Sequence, residues 1–274
     1  MSVQSRRSLL FVSGVLLAVA AVAVPVVVGT AAADPGATGS GNQARIVGGE
    51  KASLADHPYV VYLTDAGGNQ FCGAVVVSST AVATAAHCAK AVAKQDVRVV
   101  AGREDKRTSE GQVLGVSKIW VNQGYTDPTQ GGDIAVLTVR GQLDYRPAKL
   151  PDSGDAGLYA AGTQATVLGW GRIADGGARS DYLRSAQVPV VSDSECRSGY
   201  TVYDQRTMVC AGYAEGGVDA CQGDSGGPLV VGDTLIGIVS FGDGCAKAHK
   251  PGVYTRVSAY ADDIQTQAKP RLLG

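Results

Sequence analysis

Charge is scarce in this sequence: Asp, Glu, Lys and Arg together make up 18% of its 274 residues, and aromatic residues only 6%. The 24 basic side chains are offset by 25 acidic ones, with three His, for a formal net charge of -1. A chain so balanced carries no basic field for neutralising phosphates, which sets nucleic acid aside as a partner. Long runs of like charge are missing as well. With 45% hydrophobic residues, that excludes a disordered chain or a coiled coil. No Cys-x-x-Cys pair and no His-Glu-x-x-His segment occurs, so zinc finds no ligand pattern. What remains is a packed globular protein, long enough for one large domain or two small ones.

The N-terminus is set apart by its pattern. Arg6 and Arg7 form a basic start, Ser8 to Thr30 carries no charge, and Ala31-Ala32-Ala33 precedes Asp34. Residues 1–33 read as an export signal with a small-residue cleavage site. The uncharged stretch approaches a bilayer span, but Pro25 and the triple alanine favour cleavage over anchoring. Ser5-Arg6-Arg7-Ser8-Leu9-Leu10 fits a twin-arginine signal and an ordinary basic start alike. The expected product is secreted and free of the membrane after processing. Residues 34–45, DPGATGSGNQAR, are polar and glycine-rich and read as an extended propeptide open to proteolysis.

Export into an oxidising compartment turns six cysteines, all beyond the signal, into an expected disulfide framework. Cys72, Cys88, Cys196, Cys210, Cys221 and Cys245 leave fifteen pairings open by counting alone. From Ile46 onward, short valine-rich runs are split by Gly, Asp, Asn and Pro. Tyr59–Leu63, Val97–Val100, Ile134–Val139, Ala165–Leu168, Val188–Val191 and Leu235–Ser240 are too short for helices and predict an all-β domain. One helix is expected at the end, where Val257, Ala261, Ile264 and Ala268 recur at helical spacing, with Ser258 as cap and Pro270 as stop. A proline-containing stretch near residue 150 is the expected joint between two β units.

Chemistry enters at Gly223-Asp224-Ser225-Gly226-Gly227-Pro228. Glycines around a serine let the backbone turn tightly and expose both the hydroxyl and the neighbouring amides, as a nucleophile and an oxyanion hole require. Serine needs a base, and His87 in Thr84-Ala85-Ala86-His87-Cys88 is the best candidate. The imidazole needs a carboxylate, for which Asp133, before the apolar run Ile134–Leu137, is the choice. Taken singly, each segment is more often a turn, a packed residue or a cap. The order His, Asp, Ser separates the set from subtilisins and from α/β-hydrolases. His57, in Asp56-His57-Pro58, and His249, between two lysines, read as solvated.

With these motifs in place the chain resembles the chymotrypsin family of serine peptidases, close to the secreted trypsins of actinomycete bacteria. The resemblance is carried by Ile46-Val47-Gly48-Gly49, Thr84 to Cys88, Asp133-Ile134-Ala135, Gly169-Trp170-Gly171, Cys221 to Pro228 and Pro251-Gly252-Val253-Tyr254. It implies two six-stranded antiparallel β-barrels within residues 46–274, with the site between them, and bridges Cys72–Cys88, Cys196–Cys210 and Cys221–Cys245. It implies Ser225 as nucleophile, His87 as base, Asp133 as its orienting partner, and the amides of Gly223 and Ser225 as oxyanion hole. Asp219, six residues before the nucleophile, is implied at the floor of a pocket with Ser240, Gly242 and Gly252, selecting Arg or Lys before the cut. Cleavage after Arg45 would free Ile46 to pair with Asp224.

The implied partners are polypeptide substrates and proteinaceous inhibitors, with a monomeric enzyme that needs no cofactor. A catalytically dead homologue and a secreted esterase using Gly223-Asp224-Ser225-Gly226-Gly227 as an elbow are the competing readings. Structural calcium stays open but unsupported: Glu104, Asp105 and Glu110 form an acidic loop, a type more often solvated than ligating. Two departures from the family pattern are Phe241, where tryptophan is usual, and Asp243, an added negative charge beside the cleft.

Overall fold

A computed structural model of the chain describes residues 46–269. The signal and propeptide readings, Arg45 and Pro270 fall outside them. The strands in chain order are β1 (Glu50–Lys51), β2 (Val60–Thr64), β3 (Gln70–Ser78), β4 (Ala81–Thr84), β5 (Arg98–Ala101), β6 (Gln112–Val121) and β7 (Ala135–Val139), followed by β8 (Gln164–Gly169), β9 (Arg184–Pro189), β10 (Met208–Ala211), β11 (Pro228–Val231), β12 (Thr234–Phe241) and β13 (Gly252–Arg256). Every pairing between them is antiparallel.

Six strands close into a barrel in the order β2-β3-β4-β7-β6-β5. The second sheet runs β1-β9-β8-β11-β12-β13-β10. A bridge between Val190, just after β9, and Ala211 ties the end strand β10 back to β9, so six strands come round on one another and the two-residue β1 is a seventh where six were expected. The change from barrel to second sheet falls between Val139 and Gln164. β2 and β4 are buried along their whole length, because closing a small barrel fills its interior with side chains while loops and the second sheet cover the outside. Each fully buried valine or leucine there contributes roughly 1.5–3 kcal/mol of transfer free energy. β6, with Lys118 and several polar positions, is only partly buried, and its mixed composition forms no continuous apolar run.

Trp170 locks the two halves together. It is fully buried, packs edge-on against Tyr62 of β2 with centroids 4.9 Å apart, and donates its Nε1–H to the Glu104 carbonyl at 2.9 Å. The C-terminal helix α3, here Ala261–Ala268 after α1 (Ala86–Ala91) and α2 (Asp193–Gly199), crosses back to the first barrel, where Ser78 Oγ donates to the Ala268 carbonyl at 2.8 Å. Ser258 does not cap it: a 3-10 turn over Val257–Ala259 intervenes and Tyr260 occupies the N-cap position. No helix among the described residues is long and apolar enough to cross a membrane.

Candidate active site

His87 is the second residue of the short helix α1, and the Cys72–Cys88 bridge ties that helix to β3. The carboxylate of Asp133 meets it twice: the His87 backbone N–H donates to Oδ1 at 2.9 Å, and the ring Nδ1 lies 2.8 Å from Oδ2. Asp133 is 1% exposed. Its Oδ2 also accepts from Ser240 Oγ at 2.6 Å, and its carbonyl accepts from Thr255 Oγ1 at 2.7 Å. A buried carboxylate held by this many donors stays in place and fixes the tautomer of the ring it faces. Ser240, expected as a substrate-binding residue, lines the cavity beside Ser225 and also turns its hydroxyl to Asp133.

Ser225 sits in a turn that leads straight into β11. No strand-to-helix elbow is present, which removes the α/β-hydrolase reading. The serine is held against the first barrel by the Gly73 N–H, which donates to its carbonyl at 2.8 Å. The same carbonyl lies 3.5 Å from Cys88 Sγ, beside His87. The approach is close enough that a Cβ on Gly226 (φ +81°) would stand 2.2 Å from Thr84 Oγ1, so only glycine fits. The amides in this turn divide into two groups. Those of Asp224, Gly226 and Gly227 donate to Cys221, Val239 and Asp224 carbonyls at 2.8–2.9 Å. Those of Gly223 and Ser225 donate to no acceptor among the described residues. Two unbonded N–H groups, on either side of Asp224 and one of them the serine's own, leave donors available to an acceptor placed beside Ser225.

A cavity of about 220 Å³ opens at Ser225 and is lined by Asp219, Ser240, Gly242, Gly252 and Tyr254. Asp219 lies at 3% exposure, and its backbone is fixed by a bridge to Val47. Its Oδ2 accepts from the Ala246 N–H at 3.3 Å, while Oδ1 has no partner. Burial pushes its carboxyl up to about 7. The Tyr254 hydroxyl is buried and without a partner too. Glycine at 252 keeps the floor open, since a Cβ there would stand 2.6 Å from Asp219 Oδ1.

Beneath the turn, Asp224 is fully buried and accepts from the Gly171 N–H at 2.7 Å and the Cys221 N–H at 3.0 Å. Burial pushes it up to about 6, and no cation forms an ion pair with it among the described residues. Ile46 is buried in the second-sheet core.

Several expectations change. The negative charge of Asp243 is taken up by Lys247 at 3.1 Å and Lys250 at 3.4 Å, while Phe241 packs edge-on against Tyr200. The acidic loop is not simply solvated: Glu104 accepts from Ser53 Oγ and the Leu54 N–H, and Asp105 pairs with Arg107 at 2.7 Å. His57 is half-buried, 3.0 Å from the Tyr59 hydroxyl, with its pKa lowered by burial; His249 is exposed. Cys72, His87 and Cys88 bring two sulfurs and an imidazole together, but the sulfurs are bonded to each other and offer no thiolate to a metal. The other bridges join Cys196 to Cys210 and Cys221 to Cys245. Gln70, which no motif marked, donates its Nε2–H to the Gly223 carbonyl at 3.1 Å.

The family model described as Trypsin matches residues 46–264. A trypsin from Saccharopolyspora erythraea is 47% identical over 222 residues, covering 81% of this chain and 97% of that protein. Trypsin 5G1 of Aedes aegypti is 40% identical over 227 residues, covering 81% and 84%, and the trypsin of Sus scrofa is 36% identical over 222 residues, covering 81% and 94%. With this fold and these relatives, the chain belongs to the trypsin family of serine endopeptidases.

Proposed function

We propose that the protein is secreted as a zymogen and hydrolyses polypeptides after Arg or Lys through Ser225, His87 and Asp133. Ser225 Oγ attacks the carbonyl carbon as His87 takes the hydroxyl proton, and the resulting oxyanion rests on the Gly223 and Ser225 amides. A donor of this kind contributes about 3 kcal/mol to the transition state. His87 then passes the proton to the leaving amine, and an acyl-enzyme remains on Ser225. Water repeats the sequence and releases the acid. Asp133 keeps Nδ1–H pointed inward, so that Nε2 is the basic nitrogen.

The observation that carries the specificity is the free Oδ1 of Asp219 at the floor of the cavity. A buried carboxylate without a counter-ion is costly, and a substrate guanidinium or ammonium relieves that cost. Apolar side chains leave the oxygen unsatisfied. The same logic supports activation. Asp224 is a buried carboxylate with no ion-pair partner among the described residues, and cutting after Arg45 supplies the Ile46 α-ammonium to it. Arg45 is itself the residue type that Asp219 would select, so mature enzyme should process its own precursor. The direct test is mass spectrometry of a denatured protein digested by the form beginning at Ile46. Termini at Arg and Lys support the reading, and termini at aromatic or small residues refute it.

A further inference from the structure

Away from the Asp219 cavity, a groove of about 410 Å³ runs over the first barrel. Its lining includes Tyr62, Gln70, Arg103, Lys106, Arg179 and, exposed at 52%, Val113. Three cations line it and no carboxylate does. None of the three forms an ion pair among the described residues. Each is held by neutral oxygen instead: Arg103 Nε donates to the Glu110 carbonyl at 2.8 Å, Lys106 Nζ to Gln70 Oε1 at 2.8 Å, and Arg179 to the Gln70 carbonyl. Elsewhere on this surface, arginines pair with nearby acids, as Arg107 does with Asp105, Arg146 with Asp233 and Arg206 with Asp204.

No acid near the groove forms an ion pair with its three cations among the described residues. Asp65 accepts from Gly67 and Asn69, Asp181 faces Arg107 at 4.0 Å, and Asp224 is buried behind the wall on the Gly171 and Cys221 amides. Burial also lowers the Lys106 ammonium to about 8. It is a cation short of solvation that Asp181 and Asp224 act on only from beyond ion-pair distance, and an incoming carboxylate would supply a direct partner.

The groove touches the reaction centre. Gln70 bonds the Gly223 carbonyl, and Arg179 Nε lies 3.0 Å from the point a Cβ on Gly223 would occupy. It reaches Gly223 from the first barrel, whereas the Asp219 cavity is lined wholly by residues 219–254. A peptide whose acyl half is anchored in that cavity sends its leaving half across Ser225 toward the groove. We propose that this groove binds acidic side chains within the first three residues after the cut bond, making the enzyme selective for carboxylates on the leaving-group side.

The assignment rests on the proposed roles of Ser225 and Asp219. Its test uses peptides with one Arg, identical except for Glu, Gln or Lys at the three positions after it. For wild-type enzyme starting at Ile46, kcat/KM should favour Glu over Lys by about tenfold at low salt and less at 0.5 M salt, as a partly screened contact requires. In Arg103→Gln/Lys106→Gln the Glu-to-Lys ratio should fall toward one, a ratio that does not depend on overall activity. A wild-type ratio near one overturns the proposal, as does a ratio unchanged in the double variant. If no peptide is cut after Arg, the specificity reading itself has failed, and the groove assignment with it. Cleavage after Arg that is indifferent to the next three residues sinks the groove alone.

Discussion

Asp219→Asn keeps the shape of the pocket floor and removes its charge. In the wild type, burial raises the carboxyl from 3.8 to about 7. Holding it ionised in the empty cavity therefore costs about 4 kcal/mol, at 1.36 kcal/mol for each tenfold. The folded state binds the proton more tightly than the unfolded chain does, so this group stabilises the fold fully below pH 4 and loses that contribution as pH rises toward 7. Asn carries no such dependence. The variant should melt higher than wild type at pH 8, with the difference shrinking at pH 4. Substrate cleavage should move the other way. Truncating one partner of a buried charge pair costs about 2–5 kcal/mol, which lowers kcat/KM for Arg peptides by roughly 30-fold to several thousandfold relative to apolar peptides. Paired Arg and Leu substrates, assayed beside calorimetric melts at both pH values, read both effects. Equal loss on the two substrates, or a variant less stable at pH 8, would refute the view of Asp219 as a strained specificity group.

Two further outcomes rest on the same geometry. Arg45→Gln should leave an uncut precursor with little peptidase activity, and added mature enzyme should convert wild-type precursor but not the variant; a fully active uncut variant contradicts the zymogen reading. Ser240→Ala removes the 2.6 Å bond to Asp133 Oδ2. It should lower kcat several-fold, with KM for Arg substrates nearly unchanged, since about 1.5–3 kcal/mol is typical for a bond to a charged group and part of it is recovered by rearrangement. A change confined to KM would leave Ser240 with its place in the pocket lining alone.

How far the sequence could be read depended on how local each signal was. The apolar runs of β2, β5, β7 and β12 mark themselves because these strands are buried along almost their whole length, and that of β8 because its second half is. β6 does not, because its outer face meets water. The spacing of Val257, Ala261, Ile264 and Ala268 marked the last helix, but Ser258 was drawn into a 3-10 turn ahead of it. Around the site, the motifs announce themselves by glycines and by residue type, whereas their supports do not. Gln70 lies 153 positions from Gly223, and Ser240 lies 107 from Asp133. Only the closed barrel and its docking on the second sheet bring such pairs together. The Asp243 charge looked free because Lys247 and Lys250 lie around a loop whose course no periodicity reveals. The cations of the groove are scattered from Arg103 to Arg179, so no run of basic residues announces them.

Covalent labelling reaches the central claim most directly. The protein cut to begin at Ile46 should react with an organophosphorus fluoride at one serine, lose its peptidase activity in step with the label, and show the adduct on the peptide containing Ser225. Asp133→Asn should slow that labelling by orders of magnitude, because the ring tautomer it holds is lost. An adduct on another serine, or undiminished hydrolysis by Ser225→Ala, would contradict the account.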